Sequence, residues 1–216
     1  MLLEIPRPPA RIAPGIVHLP GMLDLEQQRR LVEQSREIAR QVAGTPVSMH
    51  RRQVGTGQME AYILSLGYFW ATNPYRLVRE VDGYKVPPVP QNFQVLADDA
   101  LAQAYQLDQL VGNTVRAETA LVNYYPPGTG MGMHVDAEEE ANNAVISVSI
   151  GDETVFRIES ATGTHEVLLT SGDVIVFGGP ARRAKHGVLG VRDGTGPAGT
   201  GLKEGRINIT IRQVVP

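Results

Sequence analysis

After Asn113 the chain breaks into short β-type runs at 116–125, 144–150, 154–159, 165–170, 173–178 and 206–214, divided by turns such as Gly151-Asp152, Gly163 and Ser171-Gly172-Asp173. Short strands joined by close turns restrict a chain to a sandwich or a barrel. The last run, Arg206-Ile207-Asn208-Ile209-Thr210-Ile211-Arg212, alternates strictly, with polar residues on one face and isoleucines on the other. Upstream the period is helical. Asp24 is placed as an N-cap with Gln27 three residues on, and Leu25, Leu31, Val32, Ile38, Ala39 and Val42 follow at helical spacing until Gly44 and Pro46. A second amphipathic helix is expected over 91–105, with Phe93, Leu96, Ala100, Leu101 and Ala104 on one face. Residues 1–20 read as an extended arm, 47–90 as polar and irregular, and the glycine-rich stretch 190–205 as a flexible surface loop.

Composition narrows the function. A net charge of −3 and a pI near 6.0 argue against a protein that coats nucleic acid indiscriminately, though they leave room for a local basic groove. The absence of cysteine removes disulfides, thiolate metal sites and a Cys nucleophile. The N-terminus, Met1 to Pro9, lacks the pattern of a secretory signal, and no apolar run has the length of a bilayer span, so a cytoplasmic protein without membrane contact is expected.

Chemistry concentrates in few residues. His134-Val135-Asp136 follows the Gly-rich stretch Pro127–Gly132 and puts an imidazole and a carboxylate on one side of an extended segment. His186 stands 50 residues further on (186 − 136), just beyond the apolar strand Val174–Phe177. Two His and one carboxylate, with positions left open, suit non-haem Fe(II) better than structural zinc. Taken alone His-x-Asp is a weak signal, and His-Gly is usually a turn. His165 reads as an exposed strand residue, and His18 and His50 have no ligand-like neighbours. Along the last strand Arg206, Asn208, Thr210 and Arg212 form either a solvated face or the wall of a polar pocket, and arginine is the side chain that grips carboxylates in bidentate fashion. Asn123 and Tyr125 share a face of the strand Leu121–Tyr125.

The set Asn123-x-Tyr125, Gly128, His134-x-Asp136, Ser147–Gly151, Gly172–Gly179, His186-Gly187 and Arg206-x-Asn208-x-Thr210-x-Arg212 resembles the AlkB family, Fe(II)/2-oxoglutarate dioxygenases that demethylate alkylated bases. The likeness covers about residues 114–214 and, more weakly, 47–113. It implies a mostly β (α+β) fold, a double-stranded β-helix or jelly roll with N-terminal helices and a nucleotide-recognition lid. Residues 1–216 would form a single domain, with an arm and helix over 1–46, the lid and a supporting helix over 47–113, and the catalytic core over 114–216. By the same resemblance His134, Asp136 and His186 hold iron. Arg206 pairs with the distal carboxylate of 2-oxoglutarate, helped by Asn123 and Tyr125, while Asn208 and Arg212 complete the pocket near the metal. Fe(II), 2-oxoglutarate and O2 are the implied reagents.

Trp70 aligns with an aromatic position of the family lid and is the first choice for stacking on a base, with Met59, Tyr62 and Tyr75 behind it. Core packing of Tyr68-Phe69-Trp70 under a long loop is the alternative. Glu138 is placed at the base pocket, within the acidic run Glu138-Glu139-Glu140. Arg51, Arg52, Arg76, Arg79, Arg182, Arg183 and Lys185 are the candidates for phosphate contacts, the three before His186 being best placed. The implied function is oxidative removal of methyl groups from 1-methyladenine- and 3-methylcytosine-type lesions in single-stranded DNA or RNA, by a monomer. The rivals are an oxygenase of the same fold acting on a small molecule or a protein, and a non-catalytic cupin-like binding module.

Overall fold

The protein is described by a computed structural model covering residues 7–54, 57–72 and 75–216, without the side chains of Val54, Thr72 and Tyr75. The elements in order are β1 (Ala10–Ala13), β2 (Ile16–Leu19), α1 (Leu25–Gln41), β3 (His50–Val54), β4 (Gly57–Leu66), β5 (Phe69–Thr72), β6 (Tyr75–Val78), β7 (Glu80–Val81), β8 (Tyr84–Lys85) and α2 (Gln91–Leu107). They continue with β9 (Thr119–Tyr125), β10 (Met131–His134), β11 (Val145–Gly151), β12 (Thr154–Ser160), β13 (Gly163–Leu169), β14 (Val174–Phe177), β15 (His186–Val188) and β16 (Arg206–Arg212).

Helix α1 starts where the sequence places it. Asp24 accepts from the Gln27 backbone N–H at 2.7 Å, and the Gln27 side chain accepts from the Asp24 N–H at 2.9 Å, which satisfies two end donors reciprocally. Helix α2 buries Phe93, Leu96, Ala97, Ala100, Leu101 and Ala104. An eight-stranded sheet runs in the order β1-β2-β14-β11-β16-β9-β4-β3, and a four-stranded sheet in the order β10-β15-β12-β13. All of these pairings are antiparallel.

Alternation decides which residues face which layer. Ile207, Ile209 and Ile211 of β16 join Ile146, Val148, Ala120 and Val122 in a core with Leu31, Val32 and the buried face of α2. The helices thus cover the outer face of the large sheet. A second cluster, including Ile175, Phe177, Phe156 and Ile158, fills the space between the two sheets. This is the jelly roll that the family resemblance implies, with the helices outside it.

Three readings of the chain need correction. The N-terminal arm is partly a hairpin, β1–β2, whose second strand is fully buried and pairs with β14. Residues 47–90 are not irregular, because β4 pairs with β9 from Tyr62↔Tyr124 to Leu66↔Ala120. The run Ile63-Leu64-Ser65-Leu66 is buried on both faces, so it shows no alternation to read. The 190–205 stretch has no regular element but is tethered, since the Asp152 carboxylate accepts from the N–H of Gly196 at 2.7 Å and of Gly205 at 2.8 Å. No helix among the described residues is long and apolar enough to cross a membrane.

Asp173, fully buried before β14, ties the N-terminal segment to the barrel. Its carboxylate takes hydrogen bonds from Arg7 at 2.7 and 2.8 Å, from the Gly21 N–H at 2.8 Å and from the Thr170 N–H at 3.1 Å, and lies 3.0 Å from His18 Nε2. Burial opposes its charge, but the hydrogen bonds from His18, Arg7 and the backbone hold the carboxyl far below the usual range. A depressed folded-state pKa adds stability above the unfolded value and loses it as pH falls. Asp173→Asn is therefore expected to cost about 2 kcal/mol at pH 7, discounted for the half-exposed Arg7. Urea melts should show that cost shrinking below about pH 4. A deficit that stays constant with pH would show that the charge plays no part.

Candidate active site

The short strands β10 and β15 pair with His134 opposite His186. They lie so close that a Cβ on Gly187 would sit 2.8 Å from the Met131 carbonyl oxygen, so the residue after His186 has to be glycine. Asp136 follows β10 and turns inward. One ligand atom from each of His134, Asp136 and His186 falls within 4.8 Å of the others. Each imidazole is oriented from behind: His134 Nδ1–H donates to the Gly132 carbonyl at 2.9 Å and His186 Nδ1–H to that of Ala184 at 3.0 Å. Both Nε2 atoms then face the carboxylate, at 3.8 Å from Asp136 Oδ1 and 3.7 Å from Oδ2. A neighbour that fixes the tautomer in this way is the usual support of a metal-ligating histidine.

Phe156 and Phe177 wall His186 at ring distances of 5.7 and 5.0 Å. Burial lowers the tendency of His186 to protonate, against the pull of Asp136. Burial likewise disfavours the Asp136 carboxylate, but Arg212 and the two imidazoles keep its pKa below the ordinary value. The cluster thus offers two imidazole nitrogens and a carboxylate oxygen to one point.

A cavity of about 760 Å³ opens from the cluster between the two sheets. Its floor is the polar face of β16 and β9. Arg206 is 1% exposed, donates from Nε to Ser149 Oγ at 2.8 Å and lies 5.4 Å from the Tyr125 ring. Asn208 donates to Ser147 Oγ at 2.8 Å and to the Val148 carbonyl at 2.9 Å, while Asn123 donates to Asn208 Oδ1 at 3.2 Å. Arg212 Nη1 reaches Glu139 at 2.6 Å and Asp136 Oδ1 at 3.4 Å. Burial brings Arg206 down to about 10 and pushes the Tyr125 phenol up to about 12.

Four buried atoms here carry no hydrogen bond among the described residues: Asp136 Oδ2, Asn123 Oδ1, Arg206 Nη1 and Arg212 Nε. Each such atom costs about 1–3 kcal/mol if it stays unpaired. The donor set of two His and one Asp fits Fe(II) with open positions. The unpaired guanidinium nitrogens beside it fit an acid with carboxylate ends.

Trp70, Met59 and Glu138 line the outer part of the cavity, together with Tyr68 and Leu77. The Tyr75 side chain lies outside the described residues. Tyr62 does not reach the cavity; it is exposed and packs on Tyr124, ring centroids 6.3 Å apart. Two arginines proposed for phosphate are internal. Arg52 donates to Ser65 Oγ at 2.5 Å and sits 4.8 and 5.7 Å from the rings of Phe69 and Trp70. Arg182, 2% exposed, pairs with Glu139 at 3.1 Å. Arg183 is turned onto the protein's own backbone, whereas Arg76, Arg79 and Lys185 are exposed.

Sequence reasoning passed over Ser147, Ser149 and Glu139. The serines alternate with Val148 and Ile150, a pattern open to the same reading as β16. Glu139 gave no signal, because its neighbours Glu138 and Glu140 are also acidic and only the fold buries one of the three.

The chain matches the 2OG-Fe(II) oxygenase superfamily over residues 15–212. It is 34% identical over 215 residues to an alpha-ketoglutarate-dependent dioxygenase AlkB homolog of Caulobacter vibrioides, covering 98% of this chain and 93% of that one. The chain belongs to the AlkB family. A DNA N(6)-methyladenine demethylase, ALKBH1C of Arabidopsis thaliana, is 29% identical over 94% of the chain. The chain spans about half the length of that relative, 49%. The solved structure of OsALKBH1 superposes with a TM-score of 0.83 over 95% of the chain and 100% of its own, at 24% identity, and shares the fold. Membership of the AlkB family implies Fe(II), 2-oxoglutarate and O2 as reagents.

The buried, half-satisfied Arg206 is a liability to the metal-free fold. Arg206→Met is accordingly expected to leave the thermal midpoint unchanged, or raise it by about 2–4 °C, the shift that roughly 1 kcal/mol gives at this size. A marked fall in the melting curve would make Arg206 a structural residue instead.

Proposed function

We propose that the chain is an Fe(II)/2-oxoglutarate-dependent dioxygenase that removes methyl groups from N-alkylated bases, of the 1-methyladenine and 3-methylcytosine type, in single-stranded DNA or RNA. The observation that carries this reading is the adjacency, in one cavity, of a two-His, one-carboxylate cluster, a buried arginine pair and a lid bearing Trp70. Relatives named as a DNA N(6)-methyladenine demethylase and as a tRNA demethylase, the latter from Schizosaccharomyces pombe at 27% identity, support a nucleic acid as substrate.

His134, Asp136 and His186 would hold the iron. When bound, Fe(II) supplies the redox chemistry that couples O2 and the decarboxylation of 2-oxoglutarate to hydroxylation of a methyl carbon. Arg206 would clamp the distal carboxylate, with Tyr125 and Asn123 shaping that end. Asn208 and Arg212 would border the metal-proximal end. Arg212 also holds Asp136 ionised, so the ligand stays anionic at neutral pH. Trp70 and Met59 would stack on an extruded base, and Glu138 would meet its polar edge. The apolar walls exclude water, and the N-hydroxymethyl product then loses formaldehyde.

A single strand has little pairing to break, which favours it over duplex as the source of a flipped base. The reading takes the protein as a cytoplasmic monomer. That only Arg76, Arg79 and Lys185 of the candidate phosphate contacts are exposed favours a second reading, an oxygenase of a small molecule or protein.

Formaldehyde release from a panel of methylated DNA and RNA oligonucleotides is expected to require both Fe(II) and 2-oxoglutarate, and to fall at least about 100-fold in His134→Ala, since loss of a ligand should exceed the roughly 10–100-fold that loss of a group orienting a ligand costs. Arg206→Met should raise the KM for 2-oxoglutarate at least tenfold, the equivalent of about 1.4 kcal/mol. Succinate release without any oligonucleotide turnover would move the assignment to the second reading.

A further inference from the structure

The segment that delivers His186 also grips the segment that delivers Asp136. Arg183 Nη1 donates to the Asp136 carbonyl at 2.6 Å, and its Nη2 donates to the carbonyls of Glu139 at 2.6 Å and Ala141 at 3.1 Å and to Asn142 Oδ1 at 3.3 Å. Arg182 adds a second donor to the Asp136 carbonyl, at 3.2 Å, and reaches the Asn143 carbonyl at 2.9 Å. The stretch 135–144 has no regular element of its own. One guanidinium therefore supplies much of what fixes a ligand-bearing loop, and does so from three residues before the next ligand. The remaining face of Arg183 is solvent-accessible, its side chain being 35% exposed. Arg182 alone already ties the loop to the core through the buried Glu139 carboxylate.

We propose that Arg183 is a positioning residue that preorganises the metal cluster by locking the loop from Asp136 to Ala141 against the turn before His186. Without it, Asp136 keeps its chemistry but samples several placements, and the cost appears as weaker metal binding. The same loop carries Glu138 into the cavity, so its hold extends to the outer wall. The proposal rests on the cluster binding metal at all, and the experiment has to separate the two.

The test is titration of the metal-free full chain with Mn(II), read from the EPR signal of free Mn(II). Arg183→Ala is expected to weaken binding about tenfold, the lower end of the range for groups that orient ligands. Arg183→Lys, whose ammonium reaches fewer of the carbonyls at once, should fall between Ala and native. With metal saturating, the KM for 2-oxoglutarate should stay native in both variants, whereas general loosening of the barrel would raise it. Arg157→Ala, which breaks an exposed ion pair with Glu166, is the control and should bind as native. His134→Ala must lose Mn(II) binding; if it does not, the metal reading fails and this proposal with it. If His134→Ala loses the metal while Arg183→Ala binds Mn(II) like the native chain, the positioning role alone is wrong. Should Arg183→Ala not fold, native affinity in Arg183→Lys overturns the proposal equally.

Discussion

Strand β16 sits near the middle of the large sheet, between β11 and β9, and all seven of its residues are buried. Its backbone is spent on both neighbours, so its side chains decide what each side of the sheet becomes. The isoleucines meet the helices and make a core. The other face must then take Arg206, Asn208, Thr210 and Arg212 out of water, which is expensive unless each finds a partner. The two arginines resolve this differently. Arg212 lies against the carboxylates of Glu139 and Asp136, which raise its pKa in spite of burial. Among the described residues Arg206 pairs with no carboxylate; it meets Ser149 and the Tyr125 ring, and burial lowers its pKa. One arginine belongs to the protein's own charge network, and the other is left with donors to give.

That difference organises the rest of the cavity. Glu139 receives Arg212 from the large sheet and Arg182 from the turn before His186, so a single buried carboxylate joins three segments. Breaking such a network by removing one partner costs more than the network adds, because an uncompensated charge is left behind. The arrangement is a device for holding places rather than for stability. Asp136 is held through its backbone carbonyl and its side chain together, by different arginines. The imidazoles need no such charge partner, because short strand pairing and carbonyl acceptors already set their planes.

The sequence showed what repeats at a fixed period and hid what depends on distant pairing. The helices were legible from capping and spacing at Asp24–Val42 and over 91–105. Six of the eight strands after Asn113, all but the short β10 and β15, were legible from alternation and turns, and β16 betrayed a pocket because its polar face was too rich in groups that grip carboxylates. Strand β4 was missed because a strand buried on both faces has no alternation. The roles of Arg52, Arg182 and Arg183 were misread for a related reason. A cation's partners are set by tertiary contacts, and nothing local distinguishes an arginine that points outward from one that holds a loop. Glu139 was invisible among three consecutive acids, of which the fold buries one.

The misread arginines bear on how a nucleic acid would be held. With Arg52, Arg182 and Arg183 directed inward and the half-buried Arg51 donating to the Met59 carbonyl at 2.7 Å, the exposed cations of the earlier set come down to Arg76, Arg79 and Lys185. Phosphate contacts supply most of non-specific affinity, and few of them mean a shallow dependence on salt. Recognition on the proposed reading then has to come from the base. The outer cavity is suited to that, since Trp70, Met59, Leu77, Met133 and Leu189 form an apolar rim. Stacking contributes about 1–3 kcal/mol per base and tolerates any sequence. Trp70 is itself fixed from behind by Arg52, which donates to its carbonyl at 3.2 Å. An arginine lost to phosphate binding is in this way turned into support for the ring that would meet the base.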